Sequence, residues 1–242
     1  MRKVFRRLYS TYCLLVFAVI FIFLFPVFVL LIQNRFWHKW ALQLNRFWAK
    51  AFFALCFIPV EQEFQFSIDP KSQYVFCANH FSFLDIPILG LKRNVSVFVG
   101  KSSIAKIPGF GYMYRKLHIT VDRSKLRSKY ETLLRSIEAI DRGKSLLMFP
   151  EGGIMSPKPP QMARFKDGPF RVAIEKQIPI VPVTIPFNWI ILPDDGRLLV
   201  RWRKLKVIYH QPLETKGLTT DEIQELKHKT FDIIATELSR YN

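Results

Sequence analysis

The sequence predicts an α/β fold, a mixed buried sheet flanked by helices, carrying an N-terminal two-helix membrane anchor. Three observations lead there. Short apolar runs of strand length recur between residues 61 and 210, separated by stretches with helical periodicity. Turns rich in Pro, Gly and Asp punctuate them. Ahead of all this, residues 11–32 form 22 consecutive positions without a charge. Residues 1–60 are therefore read as the anchoring segment and 61–242 as one folded domain.

The anchor comes first. As a helix, 22 residues extend roughly 33 Å, enough for a hydrocarbon core of roughly 30 Å. Arg2, Lys3, Arg6 and Arg7 precede the run and favour a cytoplasmic N-terminus. A cleaved signal fits less well, because its apolar region is shorter and a small-residue cleavage site should follow. Arg35 and Lys39 lie beyond the run, so charge bias does not decide orientation, and Pro26 can bend the helix. Residues 36–60 form a second, mixed segment. Its Trp37, Trp40, Phe47 and Trp48 favour an interface, and Arg46 and Lys50 can snorkel. A hairpin that dips into one leaflet and returns leaves the remaining chain on the cytoplasmic face. Two buried core helices are the competing reading, and the first run is too long and uniformly apolar for it.

Within the domain, residues 61–68 alternate as a strand does, and buried strands are expected near 73–78, 95–100, 118–121, 145–149 and 179–186. Pro87 fits the first turn of a helix beginning near Asp85. Leu126, Tyr130, Leu133, Leu134, Ile137 and Ile140 recur at helical spacing, with Gly143 as a stop. After the 193–196 turn, residues 197–202 and 205–210 read as further strands. Thr219-x-x-Glu222 is a capping box that opens a terminal helix running towards Tyr241.

Composition narrows the function. The 242 residues accommodate one substantial domain with an added anchor. Half of them are hydrophobic and 23 are Phe, yet basic residues outnumber acidic ones enough for a net charge of +17. A chain both apolar and basic fits an anionic membrane surface or anionic substrates. Nucleic acid is disfavoured: the charge is scattered, and no helix-turn-helix, zinc-finger or RNP pattern is present. Cys13, Cys56 and Cys77 sit in apolar runs and read as reduced, buried thiols. No Cys or His spacing matches a metal site, so no metal or other cofactor is expected.

Four segments carry chemistry. Residues 79–85 read Asn-His-Phe-Ser-Phe-Leu-Asp, placing four residues between His80 and Asp85. The imidazole can take a proton at neutral pH and the carboxylate can orient it. On an ideal helix the two would lie roughly 140° apart, so His80 belongs at a strand end or in the following turn, with Asp85 entering a helix. By itself H-x4-D is common. Residues 101–123 follow, with Lys101, a Pro108-Gly109-Phe110-Gly111 turn and a terminal Val121-Asp122-Arg123. Then come Phe149-Pro150-Glu151-Gly152-Gly153 and the Pro-flanked strand around Val181-Pro182-Val183.

This ordered set resembles the 1-acylglycerol-3-phosphate acyltransferase family over about residues 75–187. The resemblance implies that His80 is a general base for an acceptor hydroxyl attacking an acyl thioester, with Asp85 holding its tautomer. It implies acyl-CoA or acyl-carrier protein as donor substrate and a lysophospholipid as acceptor. Glu151 and Gly152 would bind the acceptor's glycerol-phosphate region, and Val181-Pro182-Val183 would shape the acyl pocket. One departure stands out. The family's Glu-Gly-Thr-Arg-Ser is here Glu151-Gly152-Gly153-Ile154-Met155-Ser156, which removes the phosphate-binding arginine. Lys101 and Arg123, or Arg164 and Lys166 in the next loop, are the replacements available. Ser82 between His80 and Asp85 is a weaker acyl-enzyme candidate, since the spacing is not that of a nucleophile elbow. Two alternatives accompany this reading: an O-acyltransferase for another lysolipid, including a phosphate-free lyso-amino-acid lipid, and a non-catalytic membrane-surface binding protein.

Overall fold

The computed structural model describes residues 2–92, 96–122 and 124–241. The chain opens with α1 (Arg2–Leu31), which continues past Pro26. A 3₁₀ turn at Arg35–Trp37, capped by the Asn34 side chain accepting from the Phe36 amide, leads into α2 (His38–Leu55). The strands and helices that follow are β1 (Val60–Phe64), β2 (Val75–Ala78), α3 (Asp85–Leu89), β3 (Ser96–Lys101), α4 (Phe110–Leu117), β4 (Ile119–Val121) and α5 (Leu126–Asp141). After them come β5 (Ser145–Met148), α6 (Gly168–Lys176), β6 (Ile180–Thr184), α7 (Asn188–Ile191), β7 (Leu205–Tyr209) and α8 (Ile223–Ser239).

The seven strands form one sheet in the order β1-β7-β6-β2-β5-β3-β4. Strands β6, β2, β5, β3 and β4 are mutually parallel, and β7 joins β6 antiparallel, so the sheet is mixed as expected. Successive residues of a strand face opposite sides. Phe76 and Ala78 accordingly enter a core shared with α1, α2 and α3, while Val75 and Cys77 enter one shared with α5, α6 and α8. Because both faces are covered, β2, β5 and β6 are buried at every position. The capping box forms, with Thr219 and Glu222 bonded to each other ahead of α8.

Two expectations change. Residues 197–202 form no strand. Their backbone finds other partners: the Val200 amide donates to Ser10 Oγ (2.8 Å) and the Arg201 amide to the Ile191 carbonyl (2.7 Å). Tertiary contacts with α1 and α7 override the local strand pattern. The expected two-helix anchor is also met only in part. Among the described residues only α1 is long and apolar enough to cross a membrane. α2 is amphipathic and buries Ala41, Trp48, Ala49, Phe52 and Phe53.

α1 lies along the domain instead of projecting from it. The Tyr9 hydroxyl donates to the Cys56 carbonyl (2.8 Å) near one end, and Gln33 bonds the Tyr112 hydroxyl (3.2 Å) just beyond the other. Phe17 and Phe21 pack against Trp48, with ring centroids 4.6 and 5.0 Å apart, and Phe28 and Ile32 are buried. Its other face is bare: Phe5, Leu8, Leu15, Ile22 and Phe23 are exposed.

Candidate active site

His80 follows β2 and Glu151 follows β5, so both leave the carboxyl edge of adjacent parallel strands. Chain order reverses there, since β3 and β6 lie on opposite sides of β2. Crevices at such reversal points are where open α/β sheets bind ligands. Asn79 anchors the loop. Its side chain donates to the Ile185 carbonyl (3.0 Å) and accepts from the Ile185 amide (2.8 Å), tying the exit of β2 to that of β6.

The chain then wraps around one carboxylate. Asp85 is fully buried, and its Oδ2 accepts from the Phe81 amide (2.8 Å), the Ser82 amide (2.9 Å) and His80 Nδ1 (2.9 Å). Its Oδ1 accepts from Asn188 Nδ2 on α7 (2.8 Å). A carboxylate only accepts, so the contact places the imidazole proton on Nδ1 and leaves the Nε2 lone pair directed away from Asp85. The ring is fixed on a second side by stacking on Phe149, centroids 3.9 Å apart and planes 14° apart. Ser82 is no partner of His80 here. It is buried, its hydroxyl donates to the Leu192 carbonyl (2.8 Å), and it accepts from the Leu84 amide (3.2 Å).

Glu151 takes a position that the sequence did not foretell. It is only 2 % exposed, with Oε1 accepting from the His80 amide (2.8 Å) and Oε2 from the Ala163 amide (2.8 Å). Burial pushes its carboxyl up to about 7, against the two backbone donors that favour the charged form, and nearby Asp85 adds to the rise. Each oxygen thus accepts one backbone amide. Gly152 has φ 92° and returns its amide to the Phe149 carbonyl (3.0 Å), a turn that favours glycine.

Of the basic candidates, Lys101 is exposed at the end of β3, on the same carboxyl edge as His80. Lys166 is exposed too, and its amide donates to the Pro150 carbonyl (2.8 Å), which sets it beside the Glu151 turn. Arg123 lies outside the described residues. Val181 and Val183 are wholly buried in β6 and do not line the large cavity described next. Asn79, Phe149, Asn188 and the Ala163 amide complete the arrangement. Asn79 and Phe149 fall inside the quoted motifs, but their contacts were not legible there, and Asn188 and the Ala163 amide were missed because they act on partners remote in the chain.

A cavity of about 820 Å³ adjoins α3. Phe83, Leu84 and Pro87 form its wall nearest Asp85, Phe17 and Phe52 come from α1 and α2, and Met113 comes from α4. That volume lies in the range of small-molecule and lipid sites. The buried His118 imidazole on another wall is pushed down to about 3 by desolvation and accepts from the Phe98 amide (3.3 Å), so it contributes no charge at neutral pH. Among the described residues no group of three or more His, Cys, Asp or Glu side chains is gathered for a metal ion.

A doubly braced imidazole thus stands at the carboxyl edge of a mixed sheet, and an apolar cavity lies against the neighbouring α3. The chain belongs to the Acyltransferase family, whose model matches residues 60–186, just over half of the sequence and all of the His80–Glu151 region. It is 31 % identical over 141 residues to the chloroplastic 1-acyl-sn-glycerol-3-phosphate acyltransferase BAT2 of Brassica napus, covering 57 % of this chain. It is 32 % identical over 171 residues to the 1-acyl-sn-glycerol-3-phosphate acyltransferase of Saccharomyces cerevisiae, covering 67 % of this chain. The matched stretches span 40 % and 54 % of those two relatives' own lengths. A solved structure, the 1-acyl-sn-glycerophosphate acyltransferase PlsC of Thermotoga maritima, shares the fold with a TM-score of 0.82 at 24 % identity, over 99 % of this chain and 97 % of that one.

Proposed function

We propose that this protein is a membrane-associated O-acyltransferase. It moves an acyl chain from a thioester, acyl-CoA or acyl-carrier protein, to the free hydroxyl of 1-acylglycerol-3-phosphate, giving phosphatidate for phospholipid biosynthesis. The observation that carries this reading is the His80–Asp85 contact, which leaves Nε2 as a base with its tautomer fixed. Nε2 takes the proton of the acceptor hydroxyl as its oxygen bonds to the thioester carbonyl carbon. The carbonyl then re-forms, the carbon–sulfur bond breaks, and the imidazolium returns its proton to the departing sulfur. Asp85 stabilises the imidazolium between those two transfers. The hydrogen bond from the His80 amide to Glu151 and the Phe149 stack hold the ring for both. Acyl chains occupy the 820 Å³ cavity, and Lys101, Arg123 and Lys166 are the cations assigned to the acceptor phosphate.

The bare face of α1 supports membrane association. α1 is hydrogen-bonded to the domain near both ends and packs Phe17 and Phe21 on Trp48, so to cross a bilayer alone it would have to leave those partners. We assign it and α2 to one leaflet, lying against the cytoplasmic face with the bare side in lipid. Purified protein given an acyl thioester and an acceptor panel tests the assignment. Transfer to lysophosphatidate supports it. Transfer confined to a phosphate-free lyso-amino-acid lipid supports the second reading, which the Gly153-Ile154-Met155 replacement favours. Anionic-lipid binding without turnover on any acceptor would leave a surface-binding protein.

A further inference from the structure

A cationic cluster stands where residues 193–204 fold back on the first turns of α1. Three bonds tie the segment down: Arg6 Nη2 to the Leu199 carbonyl (2.7 Å), the Val200 amide to Ser10 Oγ (2.8 Å) and the Arg201 amide to the Ile191 carbonyl (2.7 Å). Arg6 thereby lies within the field of both Arg201 and Arg197, with Asp195 as the opposing carboxylate. Among the described residues, neither these three arginines nor Arg7 forms an ion pair. Arg6 Nε is buried and has no hydrogen-bond partner. Like charges brought together, and a buried donor lacking an acceptor, are both unfavourable until an anion joins them.

The surroundings define that anion. Arg7 and Arg197 belong to the wall of the 820 Å³ apolar cavity, so the charge adjoins space for a hydrocarbon chain. Leu198 and Trp202, in the same segment, are 54 % and 62 % exposed, as side chains meeting a lipid interface would be. Guanidinium forks match phosphate oxygens in pairs. We infer that Arg6, Arg197 and Arg201 form a binding site for the phosphate of a lipid headgroup whose chain occupies the adjoining cavity. The inference rests on reading that cavity as a lipid site. α7 links it to the dyad: Ile191 receives the Arg201 amide, and Asn188 in the same short helix holds Asp85.

Two sources can supply the phosphate, the lysolipid acceptor or an anionic lipid of the bilayer, and direct binding separates them. In one arm the full chain in detergent is titrated with short-chain lysophosphatidate below its micelle concentration, with the monoacylglycerol of equal chain length as control. In the other it is sedimented with phosphatidylcholine vesicles, with and without phosphatidylglycerol. Replacing both arginines (R197A with R201A) should weaken binding of the phosphate-bearing probe roughly thirtyfold, as expected for two basic residues near an anionic surface. Phosphate-free binding should hold. Loss in the first arm identifies the acceptor, whose phosphate then sits here and not at Lys101, Arg123 and Lys166, and loss in the second the bilayer; loss in both identifies headgroup phosphate generally. The R197K and R201K pair, which retains stems and charge but not the fork, should recover part of the affinity. No change in either arm, or equal loss for phosphate-bearing and phosphate-free probes, overturns the site. Because binding is read without turnover, a chain that discriminates phosphate yet transfers no acyl group keeps this site and defeats the enzymatic reading instead.

Discussion

Asp85 Oδ2 lies 2.9 Å from His80 Nδ1 while accepting the amides of Phe81 and Ser82, so one oxygen both folds the turn and fixes the tautomer. Asp85→Asn removes the charge and places an amide where three donors converge. Its turnover should fall by about 10³–10⁴, as for the carboxylate of a catalytic triad, with acceptor KM nearly unchanged. Stability should fall too, by about 1–3 kcal/mol for buried donors left unpaired. Steady-state kinetics and denaturant unfolding on one preparation read both, and near-normal turnover would remove Asp85 from the pair.

Asn188 supports that carboxylate from α7, donating to Oδ1 at 2.8 Å. Asn188→Leu keeps the side chain's branching and heavy-atom count but withdraws a hydrogen bond to a charged group, worth about 1.5–3 kcal/mol. Turnover should drop about tenfold to a hundredfold, and less than for Asp85→Asn. A variant as active as the parent would make Asn188 a packing residue only.

The raised Glu151 carboxyl gives stability a distinct pH dependence. Its folded value of about 7 exceeds its ordinary 4.5, so the native state binds more protons between those values. Stability from this group is therefore full below about 4.5 and is lost as pH rises through about 7. Between pH 5 and 8 the parent should lose about 2–3 kcal/mol relative to Glu151→Gln, which does not titrate. Parallel unfolding curves at the two pH values would refute the buried, desolvated carboxyl.

Gly111 in α4 has no room for a side chain: an added Cβ would stand 2.3 Å from the Ala105 carbonyl oxygen. Gly111→Ala should cost about 1–3 kcal/mol by overpacking, because the neighbour is backbone and cannot turn aside. α4 also lends Phe110 and Met113 to the cavity wall, so KM for long acyl thioesters should rise more than for short ones. Equal stability of the two proteins would mean that the 102–106 turn yields readily.

Local features were legible in the sequence because their physics is local. The apolar runs gave β2, β5 and β6, Pro87 gave the start of α3, and Thr219 with Glu222 gave the cap before α8. His80 and Asp85 could be paired because only four residues separate them. Asn188 lies 103 residues from Asp85, and nothing in its neighbourhood marks the contact. Glu151 was visible as a motif, but its duty towards the His80 amide depends on β2 and β5 being adjacent, which no window of sequence reveals. The segment 197–202 misled for the same reason: its strand-like pattern is real, and α1 and α7 take up its backbone groups.

The central claim is that His80 Nε2 removes the acceptor's proton. The most direct measurement is acyl transfer from acyl-CoA to lysophosphatidate by the purified parent and by a His80→Ala variant whose unfolding curve shows it to be folded. The account predicts transfer by the parent and a loss of about 10²–10⁴ in turnover for the variant, the range of general-base catalysis. Equal transfer by a folded His80→Ala protein would contradict it.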